Sequence, residues 1–115
     1  MKKNKNISLP DVSVIICTFN HERWIERCVR SIKNQIDVNQ SDIEIIIVND
    51  ASTDHTNFVL KNLSGFNNIK IINNKKNEGL PKSINKAVKS SLGRYIVRVD
   101  SDDYISRRYI FLAKL

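Results

Sequence analysis

Three carboxylates stand within four residues in Asp100-Ser101-Asp102-Asp103, directly after the strand-like segment Tyr95-Ile96-Val97-Arg98-Val99. The chain around them is basic, with a formal net charge of +7. Carboxylates gathered at the end of a strand expected to be buried repel one another, and a bound divalent cation is the most economical compensation. Hard cations such as Mg²⁺ and Mn²⁺ take oxygen ligands and share them with substrate phosphates. On this reading Asp102, with or without Asp103, ligates the metal, which offsets the charge developing on a departing diphosphate. Asp100 then accepts a hydrogen bond from a ribose hydroxyl. The competing structural explanation is a turn followed by a helix N-cap, but a cap needs one Asp and this segment has three.

A second acid, Asp50, follows the apolar run Ile45-Ile46-Ile47-Val48-Asn49. It can accept from a nucleobase N–H or a ribose hydroxyl, or simply bond its own turn, Ala51-Ser52-Thr53. Phe19 follows another apolar run, where its ring can stack on a base or make an ordinary hydrophobic contact. Lys82 is a candidate phosphate contact against a default of solvated lysine. His21 and His55 have no partners at metal-ligand spacing and read as surface or capping residues. No Gly-x-Ser-x-Gly or Cys–His nucleophile pattern occurs, nor a Gly-x-Gly-x-x-Gly or Walker-type loop.

The elements that must position these residues alternate. Val12 to Thr18 and Ile43 to Val48 are continuous β-branched runs, as in strands covered on both faces. Between them, Ile25, Cys28, Val29 and Ile32 recur at helical spacing within His21 to Gln35. Ser52, Thr53 or Asp54 can cap a second helix, ending near Leu63, with Phe58, Val59 and Leu63 inward. Ile69 to Ile72 is a short strand, and Asn73 to Gly79 a polar loop. Pro81 suits the first turn of a third helix running to about Leu92, with Ile84, Ala87 and Val88 inward and Gly93 as its stop. Tyr95 to Val99 is the fourth strand, and Ser106 is the candidate cap of a last helix, Arg107 to Leu115.

Repeated β-then-α units predict an α/β fold: a mostly parallel, Rossmann-like sheet with helices on both faces and right-handed crossovers. In such sheets ligands bind beyond the carboxyl ends of the strands, at a topological switch point. That rule brings Thr18, Phe19, Asp50 and the acidic run to one rim. The chain of 115 residues is the size of one domain. Residues 1–10 read as a flexible basic tail without the apolar stretch of a secretory signal, and 11–115 as the folded part. The apolar pattern Tyr109-Ile110-Phe111-Leu112-Ala113 at the end of the chain predicts an incomplete domain, the N-terminal part of a longer protein, and offers a face for pairing with another copy. Cys17 and Cys28 read as small buried hydrophobes in a reducing compartment. The basic residues are scattered and aromatics do not interleave with them, which argues against a nucleic-acid partner.

Four short motifs in order carry a family resemblance. They are Val12-Ser13-Val14-Ile15-Ile16-Cys17-Thr18-Phe19-Asn20; Val48-Asn49-Asp50-Ala51-Ser52-Thr53-Asp54; Asn77-Glu78-Gly79-Leu80 with Asn85 and Ala87; and Gly93-Arg94-Tyr95-Ile96 leading to the acidic run. From Val12 to about Leu115 the chain resembles the N-terminal, nucleotide-sugar-binding half of a family 2 glycosyltransferase with the GT-A fold. The acidic run is similar to the family's DxD motif. The resemblance implies inverting, metal-dependent transfer of a sugar from a nucleotide sugar, typically a UDP-sugar, to a hydroxyl of a carbohydrate or lipid-linked acceptor. It implies that Asp50 binds the nucleobase, that Thr18 and Phe19 line the base pocket, that Asp100 contacts ribose or diphosphate and that Asp102 holds Mn²⁺ or Mg²⁺. It also implies a cytoplasmic setting, with peripheral association at the inner face of the membrane. Ala51 stands where the family usually has Gly, and Asn49 where Asp is common. The family's catalytic base is a carboxylate in the C-terminal half, so this chain is expected to bind donor and metal but to transfer little or nothing. Two other readings are a receiver-like phosphoacceptor domain, which would need an acid pair where Thr18-Phe19-Asn20 stands, and a non-catalytic nucleotide-binding module.

Overall fold

The computed structural model describes residues 9–115. Most of the expected basic tail, residues 1–8, lies outside the described residues. The elements run β1 (Val12–Thr18), α1 (Ile25–Lys33), a 3-10 turn (Gln40–Asp42), β2 (Ile43–Asn49), α2 (Thr56–Leu63), β3 (Ile69–Asn73), α3 (Leu80–Ser90), β4 (Tyr95–Arg98) and α4 (Tyr109–Ala113). The strands form one parallel sheet in the order β3-β2-β1-β4. The chain moves outward from β1 through β2 to β3, then returns to the other side of β1 for β4. The order therefore reverses between β1 and β4, and a crevice opens beyond their carboxyl ends.

Each central strand is buried on both faces, and the alternation of its side chains divides the core. Val14, Ile16, Ile45 and Ile47 pack with Cys28, Val29 and Ile32 of α1 and Leu60 and Leu63 of α2. Ile15, Ile46 and Val48 face the other way and meet Ala87 and Ile84 of α3. Covering both faces is what continuous β-branched runs require, since either face left in water would expose the whole row.

The structure corrects several expectations. β4 is an edge strand among the described residues, so Tyr95 and Ile96 are exposed and the acidic run does not follow a buried strand. α1 is shorter than His21 to Gln35, because residues 21–24 form a turn in which the His21 carbonyl accepts from Trp24 and Ile25 N–H. In α2, Leu60 and Leu63 are buried while Phe58 is 65% exposed. In α3, Ser83 is buried and Val88 exposed: the helix packs on β1 and β2, and at its start the inward side meets the amide of Asn74, which donates to Ser83 Oγ at 3.1 Å. Gly93 is not a left-handed helix stop: α3 ends at Ser90. A Cβ at Gly93 would lie 2.6 Å from Ser13 N and 2.8 Å from the Val12 carbonyl carbon, so close approach to β1 explains the glycine. The last helix begins at Tyr109, and Ser106 contributes its carbonyl rather than a side-chain cap.

Candidate functional site

A cleft of about 410 Å³ opens at the switch point. Thr18 and Phe19 leave β1 into it, Asp50 leaves β2, and Asp100 and Asp102 come from the turn after β4. The rim of α3, at Gly79, Leu80 and Ser83, closes the remaining side. Five of the six residues expected from sequence therefore line one cavity. Lys82 does not: it is exposed on the first turn of α3, outside the lining.

Asp50 is 6% exposed and already well bonded. Its Oδ1 accepts from Glu78 N–H at 2.7 Å and from the Asn74 amide at 2.9 Å, and its Oδ2 accepts from Gly79 N–H at 3.0 Å. Burial by itself would raise its pKa. The donors of Glu78, Asn74 and Gly79, with the Lys86 charge nearby, outweigh burial and hold it below the ordinary carboxylate value. Asp50 thus anchors the polar loop 74–79 to the end of β2. Oδ2, with one protein donor, retains acceptor capacity on the side lining the cleft. Lys86 Nζ extends the network, donating to Asn74 Oδ1 at 2.7 Å and to Glu78 Oε2 at 2.8 Å.

The two loops that follow β1 and β2 are tied by Asn20. Its side-chain Oδ1 accepts from Thr53 N–H at 2.7 Å and Asp54 N–H at 3.2 Å, while its own N–H donates to Ser52 Oγ at 3.0 Å. Asn20 adopts φ 56° and Ala51 φ 61°, both left-handed. Asn tolerates this region; Ala does so at a cost. Asp54 does the work of a cap for α2, its Oδ1 accepting from Thr56 N–H at 2.9 Å, although the helix begins one residue later than a formal cap at Asp54 would place it.

The acidic turn rests on α1. The Cys28 thiol donates to the Asp100 carbonyl at 3.5 Å, Arg27 Nη2 to the Asp102 carbonyl at 3.4 Å, and Ile105 N–H to Ser31 Oγ at 3.1 Å. Burial, then the nearby carboxylates of Asp103, Asp100 and Asp102, push the Cys28 thiol up to about 12, so it is a structural donor and not a nucleophile. His21, read from sequence as a surface residue, is half-buried in the cleft wall. Its Nδ1 is hydrogen-bonded to Ser101 Oγ, and its ring meets Trp24 edge-on at 5.5 Å. Within the turn Asp103 N–H donates to the Asp100 carbonyl at 2.9 Å. No helix follows before Tyr109, so the turn half of the competing explanation holds and the N-cap half does not.

Carboxylate oxygens of Asp100, Asp102 and Asp103 lie within 4.8 Å of one another, and all three residues are exposed. An all-oxygen set open to solvent fits a hard divalent cation that keeps waters and shares ligands with a phosphate, and it does not suit zinc or copper. Phe19 presents an exposed ring in the cleft, and the buried Thr18 hydroxyl has no hydrogen-bond partner within the protein. Arg98, the last residue of β4, also lines the cleft, its Nη2 2.8 Å from Asp100 Oδ1. Sequence reasoning passed over it, although a cation in an otherwise apolar strand was a visible signal.

Comparison with known proteins follows the same outline. The model of Glycosyl transferase family 2 matches residues 13–112. An uncharacterised glycosyltransferase of Haemophilus influenzae is 41% identical over 102 residues, covering 88% of this chain and 31% of that protein. TarS of Staphylococcus aureus, in a crystal structure with UDP-GlcNAc, superposes with a TM-score of 0.83 at 33% identity, covering 90% of this chain and 30% of that one. A mannosyltransferase of Pyrobaculum calidifontis, in complex with GDP-Man and Mn²⁺, superposes with a TM-score of 0.78 at 25% identity, over 88% of this chain and 30% of that one. The chain spans about a third of the length of these relatives.

Proposed function

The chain belongs to glycosyl transferase family 2 and has its GT-A, Rossmann-like fold; on that premise we propose that residues 11–115 bind the nucleotide-sugar donor and its metal ion. The observation that carries the reading is the convergence of Asp50, Phe19 and the Asp100–Asp103 turn, from three separate strand ends, on one cleft of nucleotide size. Phe19 stacks on the base, Thr18 offers it the unpartnered hydroxyl, and Asp50 accepts from a base N–H through Oδ2. Asp100 accepts from the ribose, and Asp102 holds Mn²⁺ or Mg²⁺ with its neighbours on the turn. The ion, when bound, supplies positive charge to the diphosphate as it leaves. The protein's own contribution is placement: α1 fixes the turn from below, and the Asp50 network fixes the opposite wall before any ligand arrives.

The donor is a nucleoside diphosphate sugar, as in the two solved relatives with UDP-GlcNAc and GDP-Man. The reaction of the whole protein is inverting transfer to a hydroxyl of a carbohydrate or lipid-linked acceptor. A general base must reach that hydroxyl. Among the acids lining the cleft, Asp50 is committed to Glu78, Asn74 and Gly79, with only Oδ2 left for the base, and Asp100 and Asp102 belong to the metal rim, so this part contributes donor and metal binding and not the proton transfer. Among the described residues no helix is long and apolar enough to cross a membrane. From the family resemblance, and not from that absence, we propose a cytoplasmic setting that allows peripheral contact with the inner face of the membrane. A receiver-like domain is disfavoured because the end of β1, Thr18-Phe19-Asn20, carries no carboxylate.

Calorimetric titration of UDP and of GDP, with Mn²⁺ and with EDTA, tests the reading. Binding by the wild-type chain is expected with Mn²⁺, and Asp102→Ala is expected to weaken it tenfold or more, since charge-assisted contacts are worth about 1.5–3 kcal/mol. A folded wild-type chain that binds neither nucleotide would sink the assignment.

A further inference from the structure

The proposed donor carries two phosphates, and the cleft that would receive them is lined by Asp50, Asp100 and Asp102. A metal ion neutralises part of that charge, but a second cation is needed before the diphosphate and the acidic turn can share the space. Lys82, the residue expected to supply it, stands outside the lining. Arg98 is the one side chain with a permanent positive charge among the described residues that line the cleft.

The fold fixes where Arg98 acts. It pairs in register with Ile15 on β1, whose side chain faces α3. The guanidinium therefore emerges on the α3 side of the sheet, next to the acidic turn and across from Gly79 and Leu80. Its present partner is Asp100 Oδ1 at 2.8 Å, with the two side chains 46% and 55% exposed. An ion pair this open to water holds its members weakly, so exchanging the partner costs little. A planar guanidinium also matches the paired oxygens of a phosphate as well as it matches a carboxylate.

We propose that Arg98 is a diphosphate-binding residue that guards Asp100. In the free protein it neutralises the Asp100 carboxylate. When the nucleotide enters, Arg98 moves to a phosphate oxygen and releases Asp100 to the ribose hydroxyl or the metal rim. The inference rests on the donor-site reading and adds to it a residue and an exchange. It makes the two ligands respond in opposite directions to one substitution: removing the charge weakens the phosphates' hold and frees the acidic turn for a cation. A merely structural role, in which Arg98 only props Asp100 in place, would weaken both.

The test compares wild type with Arg98→Met and Arg98→Lys by calorimetry. UDP and uridine are titrated at saturating Mn²⁺, and Mn²⁺ is titrated alone; GDP and guanosine replace the uridine pair where the wild-type chain binds GDP instead. In the Met variant UDP is expected to bind about tenfold or more weakly while uridine is unchanged, the loss expected for one charge-assisted contact. Mn²⁺ alone is expected to bind up to about fivefold more tightly, as befits an exposed pair. The Lys variant is expected to recover part of the UDP affinity, which keeps the charge and loses the fork. An unchanged UDP-to-uridine ratio in the Met variant, or a Mn²⁺ affinity that falls with it, overturns the role of Arg98 while leaving the donor site standing. A wild-type chain that binds no nucleotide overturns the donor site itself, and this inference with it.

Discussion

Replacing Asp50 by Asn changes one atom's chemistry and little of its shape, which makes it the sharpest probe of the cleft wall. The carboxylate accepts three hydrogen bonds, two at Oδ1 and one at Oδ2. An amide can keep its oxygen toward Glu78 and Asn74 only by turning its NH₂ toward the Gly79 N–H, so one bond is lost and two donors face each other. The opposite flip sacrifices two bonds and is worse. Losing one charge-assisted bond and leaving a buried donor unpaired costs about 3–4 kcal/mol, and sparing the burial of a charge returns about 1 kcal/mol. The net loss is about 2–3 kcal/mol, or a fall in Tm of roughly 10 °C for a domain of this size. The pH dependence supplies a second reading. Asp50 has its folded pKa below the unfolded value, so its stabilisation is fully present above an unfolded pKa of about 3.9 and is lost as pH falls through the lower folded value. Thermal unfolding followed by circular dichroism at pH 7 and again below pH 4 should therefore show the gap between wild type and variant narrowing in acid. A variant as stable as wild type at pH 7, or a gap that stays the same in acid, would refute the view that the ionised Asp50 holds loop 74–79.

Two further substitutions bear on backbone geometry. Ala51 sits at φ 61°, where an L-residue pays about 1–2 kcal/mol and glycine does not; after the extra chain entropy of glycine, about 0.5–1 kcal/mol, Ala51→Gly should raise Tm by a few degrees, and a lower Tm would contradict it. Gly93→Ala places a Cβ 2.6 Å from Ser13 N and 2.7 Å from Ser13 Oγ. Because backbone atoms must shift, it should cost about 3 kcal/mol or more in urea unfolding, whereas Gly65→Ala, with open space around it, serves as the near-neutral control.

The strands of this fold were legible because nothing competes with their pattern. β1 and β2 are unbroken β-branched runs, and both begin and end within a residue of where the sequence puts them. The inner face of α1 was equally plain, with Ile25, Cys28, Val29 and Ile32 all buried. Where the neighbouring surface is polar, hydrophobicity misleads. Ser83 goes inward to meet Asn74 while Val88 is left outside, and the apolar β4 is exposed because, among the described residues, it has a neighbouring strand on one side only. At the site, the acids were visible because they cluster just after strand ends in an otherwise basic chain. His21 was not, because it has an ordinary explanation along the chain, and Arg98 was marked only as a lone cation in an otherwise apolar strand. The fold brings them to the cleft: His21 meets Ser101 80 residues away, and the pairing of β4 with β1 carries Arg98 there.

The contact of His21 with Trp24 has an optical consequence. The protein holds one tryptophan, so its red-edge emission comes from a single place. That place touches an imidazole whose other end is bonded to the hydroxyl between Asp100 and Asp102. A shift of the acidic turn is therefore expected to reach the imidazole through Ser101 and to change the surroundings of the indole. The chain thus carries its own fluorophore beside the proposed metal site, and Mn²⁺ binding at that turn is expected to change the Trp24 emission, which a fluorescence titration of the unlabelled protein checks.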